Sequence, residues 1–311
     1  MSPCIVAQIR ALNYLIHPTI ERTVTPEIIP EPRLTEMERW GRGFRVVACG
    51  GKNMAIALSG YLAYFDASMD KGKTDMLVAG YVSTVEEWAQ FEIAWKLTLA
   101  KYDVPFFKMS EFIGRRKEYS HPKWQSETYR AQFLADIGQI IWGWTAASVA
   151  CHMKQALFDQ YNAIYELDKR FNPFAICARD CAAQVRKYIR NEVKSDLPIA
   201  YIFDQGDEGK GFLIKEMQAS KLPLPAFKRS RPDPELDKDD PYHVQLQACD
   251  FAAWELRRGR KDLEDGKAPT QLRKSLLALR MEKPRRIWKD TKEPDLLGLI
   301  RVARIKKRNE N

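Results

Sequence analysis

Three aspartates lie at points where separate segments of the chain could bring acidic side chains together. Asp66 ends the apolar run LAYFD, Asp204 ends the run IAYIFD, and Asp250 lies inside LQACDFAAW. Hydrolysis of a phosphodiester builds charge on the attacking and leaving oxygens, and two divalent cations can stabilise both. Mg²⁺ and Mn²⁺ favour carboxylate oxygens as ligands. The pattern is therefore the one that metal-dependent phosphodiester chemistry would need.

Asp66 and Asp204 each follow four or more apolar residues, so each is predicted to lie at the edge of a buried strand. Acids at strand ends leave the core and can meet above a sheet. Aspartate is also common where a turn begins, and Gly206 follows Asp204 closely. Metal binding and turn formation are both open for these two residues.

Asp250 is predicted to lie on a helix from about residue 242 to 258 that Gly259 would end. At 100° per residue, His243 and Gln247 lie about 20° and 60° from Asp250, on one helix face. Small apolar residues surround Asp250, which is unusual for an acid on a solvent-facing helix. Glu255 lies about 140° away, so we expect it at the surface or in a salt bridge.

Further residues could complete such a site. Glu111 follows the strand-like segment PFFKMS and is a candidate fourth metal ligand, or an acid in the first turn of a helix after Ser110. Lys108 is a candidate for phosphate contact, or simply a lysine at a strand end. His243 is a supporting candidate, although a capping or packing role is favoured for a lone histidine.

The elements that must position these residues are predicted as strands first and then alternating helices and strands. Residues 60–66 and 74–83 read as an antiparallel pair, and Thr84 with Glu87 forms a capping box for the next helix. Residues 104–108 and 198–204 read as further strands. This order predicts an α/β domain with a mixed sheet flanked by helices.

Three regions follow from composition. Residues 1–55 contain proline- and glycine-interrupted sequence and are predicted as an extension with little fixed structure, or as an artefact upstream of Met54. Residues 56–260 form the predicted domain, and 261–311 a basic helical tail. Residues 256–311 carry 18 Lys and Arg against 8 Asp and Glu, whereas the whole chain is only +9. The tail therefore predicts nucleic-acid contact, with a solvated basic helix as the alternative.

The 311 residues are 45% hydrophobic and 29% charged, which is enough for a full core. No apolar stretch is long enough to predict a membrane span, and the first residues lack the pattern of a signal peptide. The six cysteines include no CxxC pair, so zinc and redox motifs are not indicated. Reduced thiols and a cytoplasmic location are expected.

Residues 60–258 resemble the bacterial and phage family called domain of unknown function 3800. The matching segments are GYLAYFDASMD (60–70), VAGYVSTVEEWAQFEIAWKLTLA (78–100), FFKMSEF (106–112), YIFDQGDEGKG (201–211) and VQLQACDFAAWELRR (244–258). The Gln247-x-x-Asp250 motif is the most specific of them. Many members have an acid where this chain has Ala67 and a histidine where it has Lys108.

The resemblance implies a ribonuclease-H-like fold and a metal-dependent nuclease, in a family often found with mobile elements and defence genes. It implies that Asp66, Asp204, Asp250 and Glu111 are the acidic site residues. We therefore expect a Mg²⁺- or Mn²⁺-dependent nuclease that acts on DNA or RNA. The alternative is a non-catalytic module of the same fold that binds nucleic acid or a partner protein.

Overall fold

The computed structural model describes residues 60–70, 72–206, 208–238, 240–268, 273, 275, 285–303 and 305. The predicted extension at residues 1–55 lies outside these ranges, as do parts of the basic helical tail predicted at 261–311. Within these ranges, no helix is both long enough and apolar enough to cross a bilayer.

The chain forms a six-stranded mixed sheet with helices on both faces, which confirms the predicted α/β architecture at this level. The strands are β1 (Tyr61–Met69), β2 (Asp75–Thr84), β3 (Ala147–Lys154), β4 (Ile199–Asp204), β5 (Ala226–Lys228) and β6 (Arg285–Asp290). The helices are α1 (Val85–Lys101), α2 (Met109–Ile113), α3 (Glu127–Trp144), α4 (Gln155–Tyr165), α5 (Pro173–Tyr188), α6 (Lys210–Ala219), α7 (Val244–Glu264) and α8 (Glu293–Val302).

The strands are ordered β5-β4-β1-β2-β3-β6. β1, β2 and β3 are antiparallel neighbours, whereas β4 runs parallel to β1, β5 parallel to β4, and β6 parallel to β3. Helices α1, α2, α3 and α7 pack on one face and α4, α5, α6 and α8 on the other. Alternation along β1 sends Leu62 and Tyr64 to the α7 face and Ala63 and Phe65 to the opposite face.

The start of α1 follows the sequence pattern closely. The Thr84 hydroxyl caps the helix by accepting from the Glu87 amide at 3.2 Å. The reciprocal half of the predicted capping box is absent, because the Glu87 carboxylate accepts from the Ser83 hydroxyl instead. The aromatic stripe of α1 is fully buried in the core and comprises Trp88, Phe91, Trp95 and Leu99.

Two predicted boundaries are wrong for identifiable reasons. Residues 104–108 are not a strand, because the amide of Phe107 donates to the side chain of Gln247 at 2.9 Å rather than to a strand neighbour. Helix α7 does not end at Gly259 but continues to Glu264. Ion pairs four residues apart, such as Arg260 with Glu264, stabilise that continuation.

The segment after residue 260 also differs from the predicted helical tail. Within it, β6 pairs in parallel with β3, and Ile287 and α8 pack on the sheet face opposite α7. Part of the basic segment is therefore built into the sheet and its covering layer.

Candidate functional site

The carboxylates of Asp66 and Asp204 emerge side by side from neighbouring strands. Phe65 of β1 lies opposite Phe203 of β4 in a parallel register, so the next residue of each strand is an aspartate at the same edge. Asp66 shares the parity of Tyr64, and Asp204 that of Ile202, and both of those residues face α7. Both acids therefore lie on the α7 face of the sheet.

Asp250 approaches the same edge from α7, which packs across β1 and β2. Its Oδ2 atom accepts from the amide of Met109 at 2.6 Å, at the first residue of α2. Its Oδ1 atom lies 2.5 Å from the ammonium of Lys108. The isolated acid that helical periodicity singled out is thus buried and fixes the entry to α2.

Lys108 lies among the three aspartates. Its Nζ atom is 3.8 Å from Oδ2 of Asp66, in addition to its contact with Asp250. Burial lowers the pKa of this lysine, but the charges of Asp250 and Asp66 outweigh burial, and that of Asp204 adds to them. The net effect raises the pKa well above its ordinary value. We call Lys108, Asp66, Asp204 and Asp250 the Lys108 cluster; it holds a permanent ammonium among three carboxylates.

Backbone amides donate a hydrogen bond to one carboxylate oxygen of each strand-end aspartate, Asp66 and Asp204. Asp66 Oδ1 accepts from the amide of Ala67 at 2.8 Å, and Asp204 Oδ1 accepts from the amide of Gly206 at 2.7 Å. The turn role anticipated for Asp204 is thus present. Its other oxygen, Oδ2, is buried and has no hydrogen-bond partner among the described residues.

Gln247 ties the surroundings of the cluster together. Its oxygen accepts from the indole of Trp95 at 3.0 Å and from the amide of Phe107 at 2.9 Å. Its nitrogen donates to the carbonyl of Ser230 at 2.8 Å. The side chain therefore joins α1, the segment that carries Lys108 and the loop after β5, which makes it a positioning residue.

Glu111 is held by a different set of cations from the other acids. Its Oε1 atom lies 2.9 Å from the Lys117 ammonium and 2.6 Å from the Arg231 guanidinium. Burial opposes ionisation, but the hydrogen bond from Lys117 and the charge of Arg231 outweigh it and lower the pKa of this carboxyl. The amide of Glu111 donates to the carbonyl of Lys108 at 3.1 Å, but its carboxylate is paired with Lys117 and Arg231 instead of Lys108. A role as fourth metal ligand remains a prediction.

His243 precedes α7 and does not join the cluster through its ring. The ring packs against Tyr64 with centroids 5.8 Å apart, and Nε2 has no hydrogen-bond partner among the described residues. Burial, assisted by the charge of Lys228, lowers the pKa of His243 to about 3. The ring is therefore neutral and packs in the core. The packing role predicted for this histidine is confirmed, whereas the capping hydrogen bond is absent.

Glu255 differs from a surface acid because it is completely buried, at 0% exposure. Arg273 lies 3.0 Å from it, and the hydroxyl of Ser275 donates to it at 2.9 Å. The salt-bridge alternative is confirmed and the surface alternative is wrong. Burial raises the pKa of Glu255, and the charge of Arg273 works against that rise.

Many described cations of the basic segment are engaged by acids of the same chain. Lys289 lies 2.7 Å from Asp180, Arg260 lies 2.6 Å from Asp290, and Lys261 lies 3.2 Å from Asp265. Positive charge that looks free in the sequence is in these cases neutralised within the fold.

The described residues include no group of three or more His, Cys, Asp or Glu side chains arranged to hold a metal ion. The four described cysteines, Cys151, Cys177, Cys181 and Cys249, are buried free thiols. The sequence patterns do not predict that Lys117 and Arg231 contact Glu111. The basic run Arg115-Arg116-Lys117 after Gly114 is a signal that could have indicated Lys117.

No family model matches this chain, and neither does any curated protein or solved structure.

Proposed function

We propose that the protein hydrolyses phosphodiester bonds of nucleic acid with a divalent cation, Mg²⁺ or Mn²⁺, at the Lys108 cluster. One observation carries this: the carboxylates of Asp66 from β1 and Asp250 from α7 contact one ammonium group, and the neighbouring strand β4 ends in Asp204 at the same sheet edge. Convergence of acids from three separate elements is what phosphoryl chemistry with metal ions requires.

The order of the strands supports the proposal. Ribonuclease-H-like folds begin with antiparallel strands and have an acid on the first of them. In this chain β1, β2 and β3 are antiparallel, and Asp66 lies on β1. The arrangement agrees with the resemblance to domain of unknown function 3800. Because one fold can host many functions, the proposal depends on the residues of the site and not on the fold.

The donor atoms suit a hard divalent cation. All three acids offer carboxylate oxygens, and buried Oδ2 of Asp204 has no hydrogen-bond partner among the described residues. Asp66, Asp204 and Asp250 would hold the ion in competition with the ammonium of Lys108. Such an ion would supply Lewis-acid stabilisation of charge on phosphate oxygens.

The other residues have roles that follow from their contacts. Lys108 carries a fixed positive charge that suits a phosphate oxygen. Asp250 sets the position of Lys108 through its carboxylate and that of α2 through the Met109 amide. Gln247 holds the backbone before Lys108 in place through Phe107.

The test is hydrolysis of labelled DNA and RNA oligonucleotides with Mn²⁺. Asp250→Asn keeps an oxygen that can accept from Met109 but removes the charge. We expect its rate to fall by roughly 100-fold or more, the typical effect of removing one preorganised electrostatic group. Asp265→Asn is the matched control, because Asp265 is an exposed acid at the end of the same helix. Equal rates in the two variants would refute the assignment.

A non-catalytic nucleic-acid-binding module is the second candidate. It is favoured by the close contact of Lys108 with Asp250 and by the absence of an arranged metal-ligand group among the described residues. Under this alternative, oligonucleotide binding is the same with Mn²⁺ or with a chelator, and no cleavage product forms.

A further inference from the structure

Lys117 and Arg231 meet on one oxygen of a buried acid. The Lys117 ammonium lies 2.9 Å and the Arg231 guanidinium 2.6 Å from Oε1 of Glu111. The lysine side chain is 53% exposed and the arginine side chain 46% exposed. Two cations thus share one carboxylate, which leaves an excess positive charge at the surface. We call Lys117 and Arg231 the Glu111 pair.

Both members of the pair retain donors that point beyond Glu111. An ammonium has three N–H donors and a guanidinium has five, and the contact with Glu111 uses a small part of them. The Arg231 guanidinium also lies over the ring of Phe106, 5.0 Å from its centroid. The buried acid and the ring therefore hold the guanidinium in place while its remaining N–H groups stay available.

The loop that carries Lys117 has an unusual backbone. Arg115 and Lys117 have φ values of 49° and 53°, in the left-handed region that non-glycine residues seldom adopt. Such conformations persist only where the surrounding structure enforces them, and they concentrate at binding and catalytic sites. Here the amide of Arg116 donates to the carbonyl of Glu111 at 3.0 Å. The backbone of Glu111 thus holds the loop whose lysine its side chain binds.

One turn of α7 couples the Glu111 pair to the Lys108 cluster. Gln247 donates to the carbonyl of Ser230, the residue before Arg231. Asp250 accepts from the amide of Met109 at the start of α2, the short helix that contains Glu111. Because these two side chains are three residues apart on one helix, the pair and the cluster are fixed to the same support.

We infer that the Glu111 pair binds the phosphate backbone of a nucleic-acid strand and holds it beside the Lys108 cluster. This inference rests on the proposed function for the choice of partner. It assigns backbone binding to the loops at residues 114–117 and 230–231 rather than to the basic segment after residue 256. In that segment, Arg285 and Lys261 each have an acid of their own, Glu192 and Asp265.

The test is equilibrium binding of a short fluorescent single-stranded oligonucleotide, as DNA and as RNA, with a chelator present so that no cleavage occurs. Affinity is measured from about 50 to 200 mM salt, because each neutralised phosphate adds about 0.7 to the slope of log K against log salt for single strands. Lys117→Ala and Arg231→Ala are each expected to lower that slope by roughly 0.7, and the double variant by roughly 1.4.

Lys261→Ala and Arg285→Ala are the matched controls. They remove the same two residue types at similar exposure, 49% for the lysine and 60% for the arginine. We expect both to keep the slope of the unaltered protein. Arg231→Lys preserves the charge and is expected to keep the slope too, which separates charge from any loss of folding. Thermal unfolding of every variant measures whether that variant is folded at the temperature of the binding experiment.

The inference is overturned if the slope is unchanged in the Lys117 and Arg231 variants, if the controls lose as much, or if the unaltered protein does not bind. Binding and cleavage are measured separately. A protein that binds through the Glu111 pair but does not cleave with Mn²⁺ would retain this inference and lose the proposed hydrolysis. A protein that cleaves with Mn²⁺, but whose Lys117→Ala, Arg231→Ala and double variants keep the salt slope of the unaltered protein, would retain the hydrolysis and lose this inference.

Discussion

Two ionic clusters lie on the sheet, one where β1 and β4 end and one around β3, and their charges are balanced differently. The second surrounds His152 on β3 and comprises His152, Asp75, Asp290, Lys154, Arg260 and Glu264; we call it the His152 cluster. There, Asp75 and Asp290 each contact the histidine and a cation. In the Lys108 cluster three carboxylates face one ammonium, and one oxygen of Asp204 has no hydrogen-bond partner among the described residues.

The difference separates a structural network from a candidate site. In the His152 cluster each of the three carboxylates contacts the ammonium of Lys154 or the guanidinium of Arg260, and such pairs stabilise the fold against loss of a partner. In the Lys108 cluster three acids share one cation and so keep a preference for a further positive charge. The His152 cluster ties β2, β3, β6 and α7 together, so its role is structural. The Lys108 cluster joins elements too, but its composition favours binding a cation.

The largest effect is expected from breaking the His152 cluster. The two ring nitrogens of His152 lie 2.9 Å from Asp75 and 3.1 Å from Asp290. We expect His152→Ala to lower the free energy of unfolding by about 3 kcal/mol, because the substitution leaves a cavity in place of a ring that is 1% exposed and removes its two hydrogen bonds to carboxylates. Denaturant titration measures this change.

His121→Ala is the control, since His121 is exposed and, among the described residues, its side chain makes only a long capping hydrogen bond with the amide of Lys123, at 3.4 Å. We expect its loss to cost about 1 kcal/mol or less. Below its melting temperature, His152→Ala should keep full hydrolytic activity. Lost activity in a folded His152 variant would contradict the division of roles between the clusters.

A smaller effect is expected from His243, a buried histidine without carboxylate contacts of the kind that hold His152. Burial lowers the pKa of His243 to about 3, so the folded state keeps the ring neutral. The unfolded chain takes up a proton below its ordinary pKa of about 6.5. Stability is therefore lost as pH falls, over the range between about 6.5 and 3.

From pH 6.5 to 5 the loss assigned to this histidine is about 2 kcal/mol. Denaturant titration of the unaltered protein and of His243→Gln at both pH values measures it. The variant should lose correspondingly less stability. Identical pH dependence in the two proteins would show that His243 is protonated in the folded state.

The sequence predicts the positions of Asp66, Asp204 and Asp250 on their elements better than it predicts the partners of their side chains. Alternation along β1 and β4 and the helical spacing of Gln247 and Asp250 are local patterns, and each is reproduced in the structure. The apolar pattern of segment 104–108 predicts a strand, and it cannot reveal that the amide of Phe107 donates to Gln247 instead of to a strand neighbour. A local sequence pattern predicts which face of a strand or helix a residue lies on. It does not predict which distant side chain will accept the hydrogen bond of a backbone amide.

Contacts between distant segments account for the other differences. Glu111 accepts from Arg231, which is 120 positions away, and no local pattern links the two. Glu255 lies well away from Asp250 around the helix, and this spacing predicts a surface position or a salt bridge. It is buried because Arg273, from beyond the end of α7, supplies a charge. The addition of β6 to β3 likewise depends on a pairing across more than a hundred residues.

The central claim is that the Lys108 cluster takes a divalent cation in competition with its own lysine, and calorimetric titration with Mn²⁺ tests it most directly. Lys108→Met removes the ammonium while keeping an unbranched side chain of similar length. The account predicts saturable Mn²⁺ binding by the unaltered protein and binding about tenfold tighter by the variant, a difference of about 1.4 kcal/mol. Absence of saturable binding in both proteins, or weaker binding in Lys108→Met, would contradict it.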